Sequence, residues 1–293
     1  MGNPKFAINP LKSLLASNHD IVAVISNPPK PMGRRKILQH TDVGKYSLDN
    51  NLNLIELDNF DNLDIFQKIS SLKVDIFVVV AFRILPKKYI ELPKFGSINI
   101  HASLLPKYRG AAPIQHALIN GEEYTGYTFF RINEKLDEGN IILQERYQIL
   151  KSDNCSSIQD SLTELAVNNL SVAINRLTQG EFLDSDQPDE ISYANKIQKE
   201  DSIFYWDLDV VTIFNRIRAL STWPVARTNL LGEDIKIIDA NYIQQDHDMA
   251  FGEIKAFSKD ELLVSAKGGY ISINKLQLCL LYTSPSPRDQ EAS

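Results

Sequence analysis

Ser97-Ile98-Asn99-Ile100-His101-Ala102-Ser103-Leu104-Leu105-Pro106-Lys107-Tyr108-Arg109-Gly110-Ala111-Ala112-Pro113-Ile114 is the stretch from which the fold can be read. Residues two apart on a strand share a face, so Ile98 and Ile100 point one way and Asn99 and His101 the other. An amide and an imidazole at the end of a buried strand are costly unless hydrogen-bonded or used. The Pro- and Gly-bearing run that follows ends the strand and opens a loop. Open α/β sheets bind ligands beyond the carboxyl ends of their strands, where Asn99 and His101 fall if the strand stops near His101. A lone strand histidine is ordinarily a hydrogen-bonded core residue. Beside Asn99, and ahead of such a loop, His101 reads as part of a site.

Outward from this stretch, strand and helix signals alternate. Apolar runs at 21–25, 74–81 and 98–100 read as buried parallel strands. Leu11, Leu14 and Leu15 follow a helical period, as do Phe60, Leu63, Phe66 and Ile69. A further amphipathic helix spans 156–177, with Ile158, Leu162, Leu165, Leu170 and Ile174 as its stripe. The fold class expected is α/β, a Rossmann-like, mostly parallel sheet covered on both faces, over residues 1–183. Polar, acidic sequence at 184–203 reads as a linker. Beyond it come one helix at 211–220 and short strands at 225–231, 235–240, 252–256, 262–266 and 270–276. Turn residues between them suggest a small OB-like β-barrel over 204–278.

The chain has 293 residues, 43% hydrophobic and 23% charged, which excludes disordered and collagen-like classes. No run is apolar enough to span a membrane and no signal-peptide pattern opens the chain, so a cytoplasmic protein is expected. Two cysteines, Cys155 and Cys279, make no disulfide framework. The net charge of −6 argues against a nucleic-acid partner until it is divided by segment. Residues 1–150 carry 18 Lys+Arg against 15 Asp+Glu, a net of +3, while the remainder is acidic. Within them, Lys30, Arg34, Arg35 and Lys36 place four cations in seven residues of a Pro- and Gly-bearing loop after a strand. Such a run is usually a solvated surface; here its position favours function.

A working histidine needs an orienting carboxylate. The candidate is Asp137, in Leu136-Asp137-Glu138-Gly139-Asn140 between two expected strands. Taken together, Asn99-x-His101-x-Ser103-Leu104-Leu105-Pro106, Arg109-Gly110-Ala111-Ala112-Pro113-Ile114 and Leu136-Asp137-x-Gly139 resemble the formyltransferase family that uses 10-formyltetrahydrofolate. Gly110-Ala111-Ala112-Pro113-Ile114 is more similar to the branch acting on methionyl-tRNA than to sugar-nucleotide formyltransferases or formyltetrahydrofolate dehydrogenases. The resemblance continues through Tyr193-Ala194-x-Lys196-Ile197, Trp206, Ile217-Arg218-Ala219-Leu220 and Trp223-Pro224.

The resemblance implies an enzyme that moves the formyl group of 10-formyltetrahydrofolate to the α-amine of charged initiator tRNA, for translation initiation. A sugar-nucleotide N-formyltransferase, or a formyltetrahydrofolate hydrolase, would use the same residues. It implies catalysis by Asn99, His101 and Asp137, with Asn99 and a protonated His101 facing the formyl oxygen and Asp137 holding His101. It places folate against Phe82, Ile84, Leu85, Ser103, Leu104, Leu105, Pro106, Leu136 and Gly139, although Ile84 and Leu85 are equally readable as ordinary core. The loop of Lys30, Arg34, Arg35 and Lys36 would grip the tRNA acceptor stem, and residues 204–278 would also bind tRNA. Arg109 either meets an acidic ligand group or braces a nearby Asp or Glu. No metal is expected: His19, His40, His116 and His247 lack ligand spacing. A monomer is expected. Set against the family, the first strand is expected to be absent, leaving a gap beside residues 21–25. The lysine-rich family ending is also absent, and residues 279–293 read as translated sequencing adapter rather than protein.

Overall fold

The computed structural model describes residues 1–33, 36–182, 187, 190–257 and 261–279. Two compact units divide the chain, residues 1–117 with 122–196, and residues 118–121 with 197 onward.

In the first unit the apolar runs become short buried strands separated by capped helices. In chain order these are α1 (Ile8–Leu15), β1 (Val24–Ser26), β2 (Lys30–Met32), β3 (Ile37–Gln39), α2 (Asp42–Asp49), β4 (Leu54–Glu56), α3 (Leu63–Ser71) and β5 (Phe77–Val79). Then follow α4 (Lys87–Ile90), β6 (Ser97–His101), β7 (Arg109–Gly110), α5 (Pro113–Ile119), β8 (Tyr124–Arg131), β9 (Ile141–Gln148) and α6 (Cys155–Gln179). Side chains of Thr41 and Asn62 accept from Gly44 N and Ile65 N, capping α2 and α3. Asn154 and Ser157 form a capping box that starts α6, and Gly180 ends it in the left-handed conformation. Each cap contributes on the order of 1 kcal/mol. The α6 stripe of Ile158, Leu162, Leu170 and Ile174 is buried.

The sheet is parallel on one side and antiparallel on the other. β1 pairs with β4 and β5 with β6, both in parallel. β6 meets β8, and β8 meets β9, antiparallel. The second arrangement follows from length: 132–140 is too short for a parallel crossover, so β8 and β9 form a hairpin. Met1 and Gly2 join the two parallel pairs, Gly2 N donating to Ile25 O (3.1 Å) and Val80 N to Met1 O (2.9 Å). Beside them a cavity of about 320 Å³ is walled by Ile21, Val24, Leu72, Val74 and Ile174. Neither Asn99, His101 nor Asp137 lines it.

The expected linker at 184–203 is corrected in part. β10 (Tyr193–Ala194) pairs in parallel with β7, and Ala194 is fully buried. Ala194 O accepts from Ala111 N and Ala112 N, so the strip satisfies amides of the loop after β6. A two-residue strand carries no periodic signal, which is why it reads as linker. Residues 183–186 and 188–189 lie outside the described residues.

In the second unit α7 (Val210–Ala219) precedes β11 (Ala226–Leu230), β12 (Glu233–Gln244), β13 (Ile254–Phe257), β14 (Leu262–Ala266) and β15 (Gly269–Leu278). They form one antiparallel sheet in the order β11-β12-β15-β14-β13. Leu231 and Gly232, both at positive φ, make the two-residue turn between β11 and β12. These five strands are those expected of a small OB-like unit, and among the described residues no ladder joins β11 to β13. Its core is completed by Phe204, Trp206, Val210, Ile213 and Ile217, which pack against Ile237, Val264 and Ile271. A helix face covers that apolar surface. Residues 280–293, the rest of the adapter-like tail, lie outside the described residues. No helix among those described is long and apolar enough to cross a membrane.

Candidate active site

β6 delivers Asn99 and His101 to its carboxyl end, in register with Phe130 and Thr128 of β8. His101 is 6% exposed and Asp137 8%. The structure therefore brings an imidazole and a carboxylate together inside the protein, from segments 36 residues apart in the numbering. His101 Nε2 lies 2.8 Å from Tyr108 O. A carbonyl only accepts, so Nε2 carries a proton and Nδ1 is the nitrogen that faces Asp137. Nδ1 and Asp137 Oδ2 stand 3.6 Å apart. That is too long for a direct hydrogen bond and short enough for strong Coulombic attraction when the ring is protonated.

Asp137 is also held by the backbone through this same oxygen. Its Oδ2 accepts from Gly110 N at 2.8 Å. Its backbone sits at φ +53°, a left-handed conformation that aspartate tolerates better than most residues. Two residues on, a Cβ at Gly139 would lie 1.6 Å from Arg131 O, so only glycine lets the loop pass so close to β8. Gly110 answers a similar demand at φ +121°, where a Cβ would meet Ala194 O at 2.6 Å.

Asn99 Oδ1 is buried with no hydrogen-bond partner among the described residues. Leaving such an acceptor unsatisfied costs about 1–3 kcal/mol. Asn99 lies two residues before His101 on β6, so the two share a face, and its orphaned oxygen has room in its bonding for a donor from outside the protein.

The loop after β6 is tied down by side chains that sequence reading did not single out. Thr128 Oγ1 donates to Ser103 O (2.7 Å) and accepts from Leu105 N (3.2 Å), while Gln144 Nε2 donates to Leu105 O (3.0 Å). Ser103 Oγ donates to Lys107 O at 2.6 Å, so Ser103 braces the loop. Of the residues expected to line a ligand, Ser103, Leu85, Leu105 and Pro106 are buried, and so is the Gly139 backbone. Leu85 packs with Ile25, Leu57 and Tyr89, and Leu105 with Phe130 and Ile141. Both are packed in the interior, and apolar spacing alone cannot separate a pocket wall from packing. Ile84 and Leu136 are 70% and 45% exposed, Leu104 and Phe82 half-buried, and all four present surface that a ligand can cover.

Arg109, 3% exposed, pairs with Glu138 (Nη1 to Oε1, 2.8 Å), so it braces a neighbouring carboxylate. Arg83 is anchored to backbone carbonyls. Its guanidinium donates to Leu57 O (2.5 Å) and Asp58 O (2.9 Å) and lies over the rings of Phe60 and Phe82. Burial lowers its pKa, partly offset by Asp58. Lys30 opens β2, at the end of the β2–β3 hairpin away from its turn, and Lys36 directly precedes β3; both are exposed, while Arg34 and Arg35 lie outside the described residues.

With this geometry in place, comparison with known proteins is specific. Residues 1–174 match the family described as Formyl transferase and residues 196–279 that described as Formyl transferase, C-terminal domain. A methionyl-tRNA formyltransferase of Thermodesulfovibrio yellowstonii is 37% identical over 277 residues, 94% of this chain and 89% of that protein. One from Staphylococcus aureus is 34% identical over 281 residues, 95% of this chain and 90% of that protein. The fold is shared with an N-formyltransferase from Helicobacter canadensis solved with folinic acid and dTDP-3-aminofucose, at TM-score 0.69 and 23% identity over 94% of this chain and 97% of that one. The chain belongs to the formyl transferase family.

Proposed function

We propose that this protein transfers the formyl group of 10-formyltetrahydrofolate to the α-amine of methionyl-initiator tRNA. The observation that carries the reading is the unpartnered Oδ1 of Asn99 on the same strand face as His101, whose imidazole meets buried Asp137, at the end of β6. The choice of acceptor is supported by 34–37% identity, over nearly the whole chain, to relatives named methionyl-tRNA formyltransferase.

The chemistry follows from what each group can donate or accept. A new bond forms between the amine nitrogen and the formyl carbon, the bond from that carbon to N10 breaks, and one proton passes from the amine to N10. Asn99 Oδ1 accepts from the attacking amine while Nδ2 donates to the formyl oxygen, where negative charge develops. One such donor is worth about 10²–10³ in rate. Tyr108 O holds His101 with Nε2–H inward, so the proton on Nδ1 of the imidazolium is the one left to serve the oxyanion or Asp137. Asp137, anchored by Gly110 N, receives the amine proton directly or through water. Phe82, Ile84, Leu104 and Leu136 cover the pterin, with the 137–139 backbone reading its edge. No step requires a metal, and we assign the reaction to a cytoplasmic monomer.

Lys30 and Lys36, with Arg34 and Arg35, are assigned to tRNA phosphates. Lys30→Ala and Lys36→Ala should each flatten the slope of log affinity for Met-tRNA against log salt by about 1, with folate KM unchanged. Filter binding between low and moderate salt checks this; a change in folate KM would mean the basic loop is misassigned.

The function itself is tested by following labelled formyl transfer to charged initiator tRNA, with a dTDP-amino sugar as competing acceptor and a reaction without acceptor alongside. Formylated Met-tRNA is the expected product. Formylation of the sugar nucleotide instead, or acceptor-independent release of formate at the same rate, overturns it.

A further inference from the structure

Gln187 belongs to the stretch that reads as linker, yet its side chain makes four hydrogen bonds. Oε1 accepts from Arg109 Nη2 (2.7 Å) and Nε (3.1 Å). Nε2 donates to Asp137 O (2.8 Å) and Gly139 O (3.0 Å). A carboxamide has one end that accepts and one that donates, and here each end meets two complementary partners. The environment dictates that chemistry. Arg109 can only donate and the two carbonyls can only accept, so a carboxylate at this position would set an oxygen against two oxygens.

The segment it grips is the one that presents Asp137. Asp137 is at φ +53° and Gly139 passes against Arg131 O, so the loop holds a conformation that local preference does not supply. Gly110 N fixes the carboxylate, the Arg109–Glu138 pair fixes the next side chain, and Gln187 fixes the backbone on both sides of Glu138. Arg109 and Gly110 are adjacent, so the clamp and the amide that orients Oδ2 are parts of one ring of contacts. We infer that Gln187 is a positioning residue, holding the 137–139 loop so that the Asp137 carboxylate stays between Gly110 N and His101 Nδ1.

This rests on the formyl-transfer reading, so the test includes a readout that needs no activity. Gln187→Ala removes the clamp, and Gln187→Glu keeps its size and its Arg109 acceptor while reversing the end that meets the two carbonyls. In both, hydrogen exchange of amides 136–140 should quicken at least tenfold, with those of β6 and α6 unchanged. In steady state kcat should fall about 10–100-fold, the size expected when a catalytic group is misplaced by about 1 Å, with KM for Met-tRNA within about twofold. In an Asp137→Asn background, Gln187→Ala should add no further loss, because its effect passes through Asp137. Unchanged loop exchange, additive losses, or a general rise in exchange across the first unit would each overturn the inference. Should the wild type fail to formylate Met-tRNA, the proposed function falls while the exchange result still decides the role of Gln187.

Discussion

Asp137→Asn should lower kcat by about 10²–10⁴-fold, the range over which a positioned acid–base group acts. The substitution is nearly isosteric, and Asn Oδ1 can still accept from Gly110 N as Asp137 does at 2.8 Å. What changes is the charge on the one oxygen that meets both Gly110 N and His101 Nδ1. Tyr108 O keeps a proton on Nε2, so a neutral His101 offers only a lone pair at Nδ1. A neutral amide oxygen in the place of Oδ2 attracts a proton to Nδ1 only weakly and is too poor a base to receive one from the amine. Geometry is preserved and the charge is lost. Single-turnover formyl transfer under saturating folate checks this. A loss under tenfold would reduce Asp137 to a structural role.

Asn99→Ala separates activity from stability. Loss of an oxyanion donor is expected to lower kcat by about 10²–10³-fold. The same change removes a buried acceptor that has no partner in the folded protein. Relief of that unsatisfied group, on the order of 1–3 kcal/mol, works against the small cavity left behind. The midpoint of thermal unfolding should therefore stay level or rise by a few degrees while activity collapses. Calorimetry on the variant beside its kinetics tests both halves. A marked fall in midpoint would show that the Asn99 amide serves packing.

Much of the fold is legible in the residues. Ile98 and Ile100 against Asn99 and His101 announce a strand with one apolar and one polar face, and β6 has that form. The α6 stripe is readable because its period runs over seven turns, and β14 because turn residues bound it on both sides. The second unit is legible in its elements, but the order of its strands is not: β15 lies between β12 and β14, a pairing that strand patterns do not carry. Core and pocket wall are likewise indistinguishable from apolar spacing: Leu85 and Ile84 are neighbours with similar side chains, one packed beneath the sheet and the other 70% exposed.

By itself the sequence determined which chemical groups are available and on which elements they ride: an amide and an imidazole at a strand end, a carboxylate in a glycine-bearing loop, and cations in a Pro- and Gly-bearing loop. The tertiary structure alone decided what each of them meets. Gly110 N reaches Asp137 across 27 residues, Gln187 reaches the backbone of Asp137 across 50, and Gln187 reaches Arg109 across 78. Periods of 2 and 3.6 residues describe a chain's immediate neighbours and so reveal strands and helices. Hydrogen bonds between distant segments arise only where packing returns the chain to itself. That return gives His101 its tautomer, Asp137 its orientation, and a residue of the apparent linker its hold on the site.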